Sequence, residues 1–315
     1  MNTKLPIVIA GPTASGKTDI ALALAHLCDG DIISADSRQV YKLLTVGTAA
    51  PKGQWNNGEF KTEGINYRLV DFLDIKESFD VSKFIAAATE FVAQANGRQQ
   101  IFAGGTGMYL QGYFTGMDKL PQADEEIRAK LKALADENGK EHLHNLLKEK
   151  DPQSAAQIPA GNIQRVMRAL EICILSGGPA SALKTGKFSA EIDPLKVRFF
   201  YINWAKELLE ERIIQRTNII FEPMVKEAQH AVSLGYTKDC CGLRSLGYRE
   251  ALEFAEGKIT KAQAIEKIII LTRQYAKRQR TWFGRYKNIV RIDINTSQDF
   301  NAAEIAQRIF EWKQR

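Results

Sequence analysis

The residues most able to do chemistry in this chain stand close to its N-terminus, in the segment IVIAGPTASGKT at positions 7–18. Gly11, Gly16, Lys17 and Thr18 satisfy the pattern G-x-x-x-x-G-K-[ST]. Glycine permits backbone angles that other residues avoid, so consecutive N–H groups of such a loop can converge on an anion. The lysine adds a full positive charge, and the threonine hydroxyl is a suitable ligand for Mg²⁺. The pattern predicts a phosphate-binding loop, the alternative being a glycine turn that merely joins a strand to a helix. It does not distinguish ATP from another diphosphate.

A second group of polar residues follows the next apolar run. In ADSRQVY, residues 35–41, an aspartate, Asp36, comes directly after that run. A carboxylate in this position could hold Mg²⁺, accept a proton as a general base, or cap a following helix. Asp71 and Asp74 are the other carboxylates considered as metal ligands, and they lie at the end of a different apolar run. The spacing alone leaves the three roles of Asp36 open.

The elements that position these residues follow from the alternation of short apolar runs with helix-like stretches. This alternation favours a parallel α/β sheet. A second glycine-rich turn, GGTGMYLQG at 104–112, follows the fourth strand. Because ligands of open parallel sheets collect beyond the carboxyl ends of the strands, we expect the loops at Gly11, Asp36 and Gly104 to face one crevice. A helix is predicted at 19–27, and strands are predicted at 6–10, 31–35, 68–73, 100–103, 197–202 and 288–294.

The chain changes character between residues 117 and 194, which are polar, helical in periodicity and without strand signals. We interpret 117–194 as a helical insertion domain in an α/β core that comprises residues 1–116 and 195–315. Residues 206–287 are again mostly helical in pattern. The predicted fold class is therefore α/β, a P-loop NTPase-like parallel sheet with a helical insertion domain and a largely helical C-terminal part.

Positive charge is concentrated near the C-terminus of a chain whose formal net charge is +6. In TRQYAKRQRTWFGRYK, residues 272–287, arginines and lysines are interleaved with Tyr275, Trp282, Phe283 and Tyr286. Arginine binds phosphates and aromatic rings stack on unpaired bases, so the segment is a candidate RNA-binding surface. A solvated amphipathic helix whose aromatic residues belong to the core explains the same pattern equally well.

Composition and cysteine usage exclude several other classes of protein. The 315 residues are 44% hydrophobic and 25% charged. No apolar run approaches ~18 residues, so neither a membrane-spanning helix nor a signal peptide is expected. The four cysteines form no C-x-x-C pair and the four histidines are scattered, so neither a zinc site nor a disulfide framework is expected. Reduced thiols indicate a cytoplasmic protein, and we expect a monomer.

Several segments, in chain order, resemble the bacterial tRNA dimethylallyltransferases, also called isopentenyl-diphosphate:tRNA transferases. They are GPTASGKT, ADSRQVY, GGTGMYL, NIQRVMRALE, LGYREAL and TRQYAKRQRTWF. The resemblance extends from about residue 7 to residue 285, and the last segment is its most specific part. It implies transfer of a dimethylallyl group from dimethylallyl diphosphate to N6 of the adenosine on the 3′ side of a tRNA anticodon, with release of diphosphate. It also implies Mg²⁺ as the cofactor and the tRNA anticodon stem-loop as the partner.

The resemblance implies roles for individual residues as well. Asp36 would be the general base, Thr106 would lie near the reacting groups, and Arg216 would face the diphosphate. The residues implied around the diphosphate are Gly11, Pro12, Thr13, Ala14, Ser15, Gly16, Lys17 and Thr18, with Mg²⁺ at Thr18. The residues implied to contact tRNA are Asp36, Ser37, Arg38, Gln39, Thr106, Arg128, Gln164, Arg165, Val166, Met167, Arg168, Arg244, Gly247, Tyr248, Arg249, Lys277, Arg278, Gln279, Arg280 and Trp282.

The chain departs from the family pattern at three places. Ala50 replaces a lysine, Asn66 and Tyr67 replace a histidine pair, and Pro223 stands where a Met-x-x-x-Gly pattern is expected. These departures bear on the role of Arg216 and on the fine geometry of the substrate site. The phosphate loop and the final segment keep the family pattern.

Three other functions fit parts of the sequence. They are a P-loop small-molecule kinase, an adenylate (cytokinin-type) isopentenyltransferase, and an RNA-binding protein with a vestigial loop. A kinase has no need of the basic segment at 272–287, and the intact loop with Asp36 argues against a vestigial site. The helical insertion and the basic segment favour tRNA over a free nucleotide as the acceptor.

Overall fold

The computed structural model of the protein describes residues 4–186, 188 and 190–312. The chain divides into two compact units, Met1–Phe114 with Glu191–Arg315, and Thr115–Ala190. The strands of the first unit are β1 (Ile7–Ala10), β2 (Gly30–Ser34), β3 (Gln54–Asn56), β4 (Glu59–Thr62), β5 (Ile65–Arg68), β6 (Gln99–Gly104), β7 (Arg198–Trp204) and β8 (Val290–Ile294). They form an eight-stranded sheet in the order β3-β4-β5-β2-β6-β1-β7-β8.

The sheet is parallel from β5 to β8, and its centre is buried on both faces. Every residue of β1, β2 and β6 is buried, including the polar Asp31, Gln99 and Gln100, as is typical of parallel strands at the centre of a sheet that is covered on both faces. In the register of the sheet, Ile9 of β1 lies beside Ala103 of β6 and Phe200 of β7. The carboxyl ends of these strands therefore meet at one edge, as predicted, and the α/β fold class is confirmed.

The strand predicted at 68–73 is wrong, because the chain leaves the sheet after Arg68. Leu69 and Asp71 have positive φ angles of 62° and 51°, which extended strands do not adopt. The sheet instead gains β5 before this point, together with the antiparallel strands β3 and β4 that the sequence analysis missed. The missed hairpin turns at Asn57-Gly58, where both φ angles are positive, and Asn-Gly is a strong sequence signal for such a turn.

Helices cover the sheet and continue beyond it in the first unit. They are α1 (Lys17–Cys28), α2 (Val81–Ala93), α3 (Gly107–Thr115), α8 (Lys206–Ser233), α9 (Tyr248–Ala255), α10 (Lys261–Gly284) and α11 (Ala302–Glu311). Helix α8 continues through Pro223, and buried residues of α8, α9 and α10 form a second apolar cluster around Phe221, Tyr248 and Ile268. This packing sets α8 and α10 beside the loops that follow β1 and β6.

The second unit is helical and has its own core. It contains α4 (Glu125–Asn138), α5 (Lys140–Lys150), α6 (Pro152–Gln157) and α7 (Ile163–Ser176). Leu143, Leu147 and Val166 are fully buried in it. Asp151 caps α6, and although burial opposes ionisation, hydrogen bonds from Ser154 and Ser181 hold its pKa at about 2. The predicted contact of this unit with tRNA stays a prediction. In the described part of the chain, no helix is both long and apolar enough to cross a membrane.

Candidate active-site cleft

The phosphate loop joins β1 to α1 in the predicted strand–loop–helix arrangement. Gly16 precedes α1 with a φ of 78°, and Ala14 also has a positive φ of 64°. The Lys17 ammonium donates hydrogen bonds to the Pro12 carbonyl at 2.7 Å and to the Ser15 hydroxyl at 3.4 Å. The lysine is thus folded back over its own loop, where it adds charge to the positive end of the α1 dipole.

The electrostatic setting of Lys17 is unusual for a lysine. Burial lowers the pKa of its ammonium to about 8, while the Asp36 carboxylate raises it and the Arg216 guanidinium lowers it. Burial also lowers the pKa of Arg216, which Asp36 opposes, and an arginine remains a cation even so. Two cations and one carboxylate therefore influence one another in this region, a setting typical of functional sites.

Side chains from β7 and α8 donate hydrogen bonds to the phosphate loop and fix its position. The Arg212 guanidinium donates to the Ala14 carbonyl at 2.9 Å, and its carbon lies 4.5 Å from the centre of the Trp204 ring. The Trp204 indole N–H donates to the Ser15 carbonyl at 3.1 Å. Arg216 donates to the Thr13 hydroxyl at 3.1 Å. Sequence analysis missed Arg212 and Trp204, although Trp204 ends the strand beside β1 and could have been noticed for that position.

Asp36 and Thr106 follow β2 and β6, which are neighbours in the sheet. The Ser37 N–H donates to the Thr106 hydroxyl at 3.0 Å, and the Thr106 N–H donates to the Ala35 carbonyl at 3.0 Å. The Arg38 N–H donates to Oδ1 of Asp36 at 2.9 Å, so the carboxylate closes a local turn. The next helix begins only at Val81, which removes the helix-cap role that the sequence left open.

The predicted convergence of three loops is confirmed. A cleft of about 570 Å³ is lined by residues 13–18, Asp36, Gly104 and Arg216. The hairpin that sequence analysis missed adds the buried side chain of Thr62 to its wall. Asp71 and Asp74 are not among the lining residues, and Asp74 instead accepts a hydrogen bond from the Tyr236 hydroxyl.

The cleft offers few protein ligands for a metal ion, which suits an ion that takes most of its ligands from the bound substrate and from water. Thr18 stands in the first turn of α1, and it lines the cleft together with the buried Tyr67. Among the described residues, no three His, Cys, Asp or Glu side chains are grouped as metal ligands. Mg²⁺ commonly binds through one or two protein oxygens together with phosphate oxygens and water, so Thr18 fits that ion.

Each of the three glycines of GGTG leaves room for a residue from another part of the chain to pack closely against its backbone. A Cβ atom at Gly104 would collide with the backbone of Ala35. One at Gly105 would collide with the Gln279 amide, and one at Gly107 with the Trp282 ring. The second glycine motif is therefore the surface on which α10 rests, and it brings the end of α10 to the phosphate loop.

Comparison with known proteins decides the family of this chain. A model of the IPP transferase family matches residues 39–286, and an isopentenyl transferase model matches residues 5–62. The chain belongs to the IPP transferase family. The predicted family is confirmed, and with it the class of enzyme, a transferase of prenyl groups.

Relatives match this chain over nearly their whole length. The tRNA dimethylallyltransferase of Elusimicrobium minutum is 53% identical over 312 residues, which cover 98% of this chain and 100% of that protein. The tRNA dimethylallyltransferase of Acetivibrio thermocellus is 37% identical over 289 residues, 90% of either protein. The crystal structure of the tRNA isopentenylpyrophosphate transferase from Bacillus halodurans is similar with a TM-score of 0.65 and 31% identity, covering 98% of this chain and 96% of that one.

The basic segment at 272–287 contains both exposed cations and buried aromatic residues. Lys277 and Arg278 are exposed on α10, whereas the aromatic rings of Phe283 and Tyr286 are buried in the core. The Arg285 guanidinium lies 3.8 Å from the centre of the Trp282 ring. The half-buried side chains of this segment are those of Arg273, Tyr275, Arg280 and Trp282.

Four side chains predicted to contact tRNA are buried in the structure, and Gln39, at 8% exposed, is one of them. Val166 is 0% exposed in the core of the helical unit. Tyr248 is also 0% exposed and donates its hydroxyl proton to Glu227 at 2.7 Å. Gln279 is 5% exposed and is hydrogen-bonded within the cleft. The exposed candidates are Gln164 and Arg165 on α7, Arg249 on α9, Lys277 and Arg278 on α10, and Arg244 in the turn before α9.

Arg128 and Arg168 have structural partners inside the helical unit. Both pair with Glu171, whose side chain is fully buried, at 2.9 Å and 2.6 Å. Burial opposes the ionisation of Glu171, but hydrogen bonds from Arg168, the Asp124 N–H and Arg128 lower its pKa overall. A buried carboxylate without its cations is strongly destabilising, so these arginines support α4 and α7 whatever else they bind.

Glu227 of α8 is a further residue that sequence analysis missed. Its carboxylate accepts hydrogen bonds from the Val46 N–H at 2.7 Å, the Gly47 N–H at 3.1 Å and the Tyr248 hydroxyl at 2.7 Å. The loop that it holds continues into residues 48–52, which line the cleft. Glu227 therefore shapes a wall of the site without lining it.

Proposed function

We propose that this chain transfers a dimethylallyl group from dimethylallyl diphosphate to N6 of the adenosine on the 3′ side of the anticodon in tRNA, with release of diphosphate. The observation that carries the proposal is that the phosphate loop with Lys17 and the carboxylate Asp36 share one cleft. The names of the relatives, tRNA dimethylallyltransferase and tRNA isopentenylpyrophosphate transferase, support the donor and the acceptor.

Departure of the diphosphate requires stabilisation of negative charge. In the proposed reaction the bond between the allylic carbon and the diphosphate oxygen breaks, and its electron pair leaves with the diphosphate. Lys17 and Arg216 both line the cleft, so their positive charges favour that departure. When bound at the Thr18 hydroxyl, Mg²⁺ would supply further positive charge to the diphosphate oxygens.

Removal of a proton from the adenine amine requires a base on the other side of the reacting carbon. The amine nitrogen uses its lone pair to form the new bond to that carbon and becomes positively charged, so it must lose one proton to give the neutral product. We assign this proton to Oδ2 of Asp36, since Oδ1 accepts the Arg38 N–H. Thr106 contributes by accepting the Ser37 N–H, which fixes the turn that carries the carboxylate.

Binding of tRNA is assigned to exposed basic and polar side chains outside the cleft. Arginine and lysine pair with backbone phosphates, which supports contacts to the exposed residues of α9 and α10. Gln164 and Arg165 give the helical unit an exposed polar end on α7, which supports its contact with the stem-loop. The target base must leave the stack to react, at a cost of roughly a few kcal/mol that is lowest for an unpaired base. We propose that the enzyme acts as a cytoplasmic monomer.

The direct test is a reconstituted reaction. Purified protein is incubated with dimethylallyl diphosphate, Mg²⁺ and unmodified tRNA, and the digested RNA is analysed by mass spectrometry for a dimethylallylated adenosine. Parallel reactions contain EDTA, contain ATP without the prenyl donor, or replace tRNA by AMP. Modification of tRNA that needs Mg²⁺ but no ATP is expected. Phosphorylation from ATP would favour a kinase, and modification of AMP alone would favour the adenylate isopentenyltransferase.

The exposed cations of α10 give a prediction for the RNA surface. The double variant Lys277→Ala with Arg278→Ala should bind tRNA more weakly and with a flatter dependence on salt, because each lost phosphate contact lowers the slope of log K against log[salt] by about 1. Binding is measured by fluorescence anisotropy between low and moderate salt. Lys83→Ala with Arg308→Ala removes the same charge from exposed positions elsewhere and is the control. An unchanged slope in the α10 variant would reduce this segment to a solvated helix face.

A further inference from the structure

One buried side chain connects α10 to both glycine-rich loops of the cleft. Gln279 is 5% exposed, although Lys277 and Arg278 beside it in the sequence are exposed. Its Oε1 accepts the Thr13 N–H at 2.7 Å, and its Nε2 donates to the Gly105 carbonyl at 3.1 Å. The amide thus uses one acceptor and one donor to join the phosphate loop to GGTG.

This bridge determines how part of the phosphate loop is oriented. The Thr13 N–H donates to Gln279 and the Thr13 hydroxyl accepts from Arg216 at 3.1 Å, so this N–H and this hydroxyl both have protein partners. The amides that meet the diphosphate are therefore those of later loop residues, whose position depends on a fixed Thr13. A loop already held in its bound geometry binds an anion more tightly, because ordering it costs less free energy on binding.

The close approach of Gln279 also explains a sequence feature. A Cβ atom at position 105 would lie on the Gln279 amide nitrogen, so any residue larger than glycine would displace the bridge. Gly105 has no positive φ, so its role is space rather than backbone freedom. The second glycine of GGTG and the glutamine of α10 are complementary parts of one contact.

We propose that Gln279 is a positioning residue for the prenyl donor rather than a contact to tRNA. It fixes the phosphate loop through the Thr13 N–H and locks that loop to GGTG, the turn that also carries Thr106. The proposal deepens the proposed function and rests on it for the identity of the donor. The segment of α10 that exposes Lys277 and Arg278 on its outer face therefore supports the diphosphate site through Gln279 on its inner face.

The test compares two disrupting variants with a matched control. Gln279→Met keeps the length of the side chain and removes both hydrogen bonds, and Gly105→Ala displaces the amide while Gln279 is retained. Gln307→Met changes an exposed glutamine of α11, outside the proposed tRNA surface, and is the control. The measurements are the Kd of inorganic pyrophosphate with Mg²⁺ by calorimetry, the KM for dimethylallyl diphosphate, kcat, and the Kd of tRNA.

Both disrupting variants should weaken pyrophosphate binding and raise the KM for the donor by about tenfold, the effect of leaving one backbone donor without its partner. The Kd of tRNA should stay within about twofold of the wild-type value, and the control should match wild type in all measurements. Weaker tRNA binding with unchanged pyrophosphate binding would overturn the proposal, as would wild-type values throughout. Pyrophosphate binding does not require prenyl transfer, so a wild-type enzyme that fails to modify tRNA would count against the proposed function alone.

Discussion

Replacing Asp36 by asparagine should slow prenyl transfer by roughly 10²–10⁴-fold, the usual contribution of a positioned general base, while the fold and tRNA affinity survive. The asparagine carbonyl can still accept the Arg38 N–H that Oδ1 accepts now, so the turn after β2 is retained. The neutral amide cannot take a proton from the adenine amine. Because Asp36 also raises the pKa of Lys17, the substitution removes a favourable charge from the lysine, and donor binding has to be measured separately from the rate.

Single-turnover transfer with saturating tRNA and donor, across a Mg²⁺ series, distinguishes the two roles that remain for Asp36. A base cannot be replaced by metal, so the defect should persist at every Mg²⁺ concentration. Asp71→Asn is the matched control: Asp71 follows the neighbouring strand β5, is absent from the cleft lining and has a φ of 51°, which asparagine tolerates. A near-normal rate in the Asp36 variant, or full recovery with Mg²⁺, would exclude it as the base.

Sequence alone located the parts of the site whose chemistry is local. The phosphate loop is recognisable because its function depends on consecutive residues, and Asp36 and Gly104 were placed beside it because parallel strands end at the same edge of a sheet. The missed hairpin β3–β4 was within reach of the same reasoning, since Asn57-Gly58 is a turn signal between short polar strands.

The supports of the site could not be predicted in this way, because they join positions far apart in the chain. Thr13 and Gln279 are separated by 266 positions, and Ala14 and Arg212 by 198. Periodicity places Gln279 on a helix but does not show that its inner side meets two glycine-rich loops. The same limit applies to Tyr248, because the sequence does not show that its side chain is buried and donates its hydroxyl proton to Glu227 of α8.

The second large effect is expected at the leaving group. Lys17→Met keeps most of the side-chain volume and removes a positive charge from the proposed diphosphate site, so transfer should fall by roughly 10²–10³-fold, as for loss of one preorganised electrostatic donor. The defect should appear in both donor binding and the chemical step, because charge accumulates on the diphosphate as the bond breaks. Lys83→Met, at an exposed position of α2, is the control and should transfer at the wild-type rate. Wild-type kinetics in the Lys17 variant would remove the lysine from the diphosphate site.

The pKa of Lys17 adds a pH dependence that a merely structural lysine would not give. Burial brings this pKa to about 8, so below pH 8 the free enzyme carries the ammonium and above pH 8 it increasingly does not. Bound diphosphate favours the charged form and raises the pKa, so donor affinity should be constant below pH 8 and fall above it, by at most about tenfold per pH unit. In Lys17→Met this fall in donor affinity above pH 8 should disappear, because no ammonium is left to titrate at position 17. Lys83→Met should retain it. The measurement is the KM for dimethylallyl diphosphate from pH 7 to pH 9.5 at saturating tRNA and Mg²⁺. If donor affinity fell equally with pH in wild type and in Lys17→Met, the titration would belong to another group.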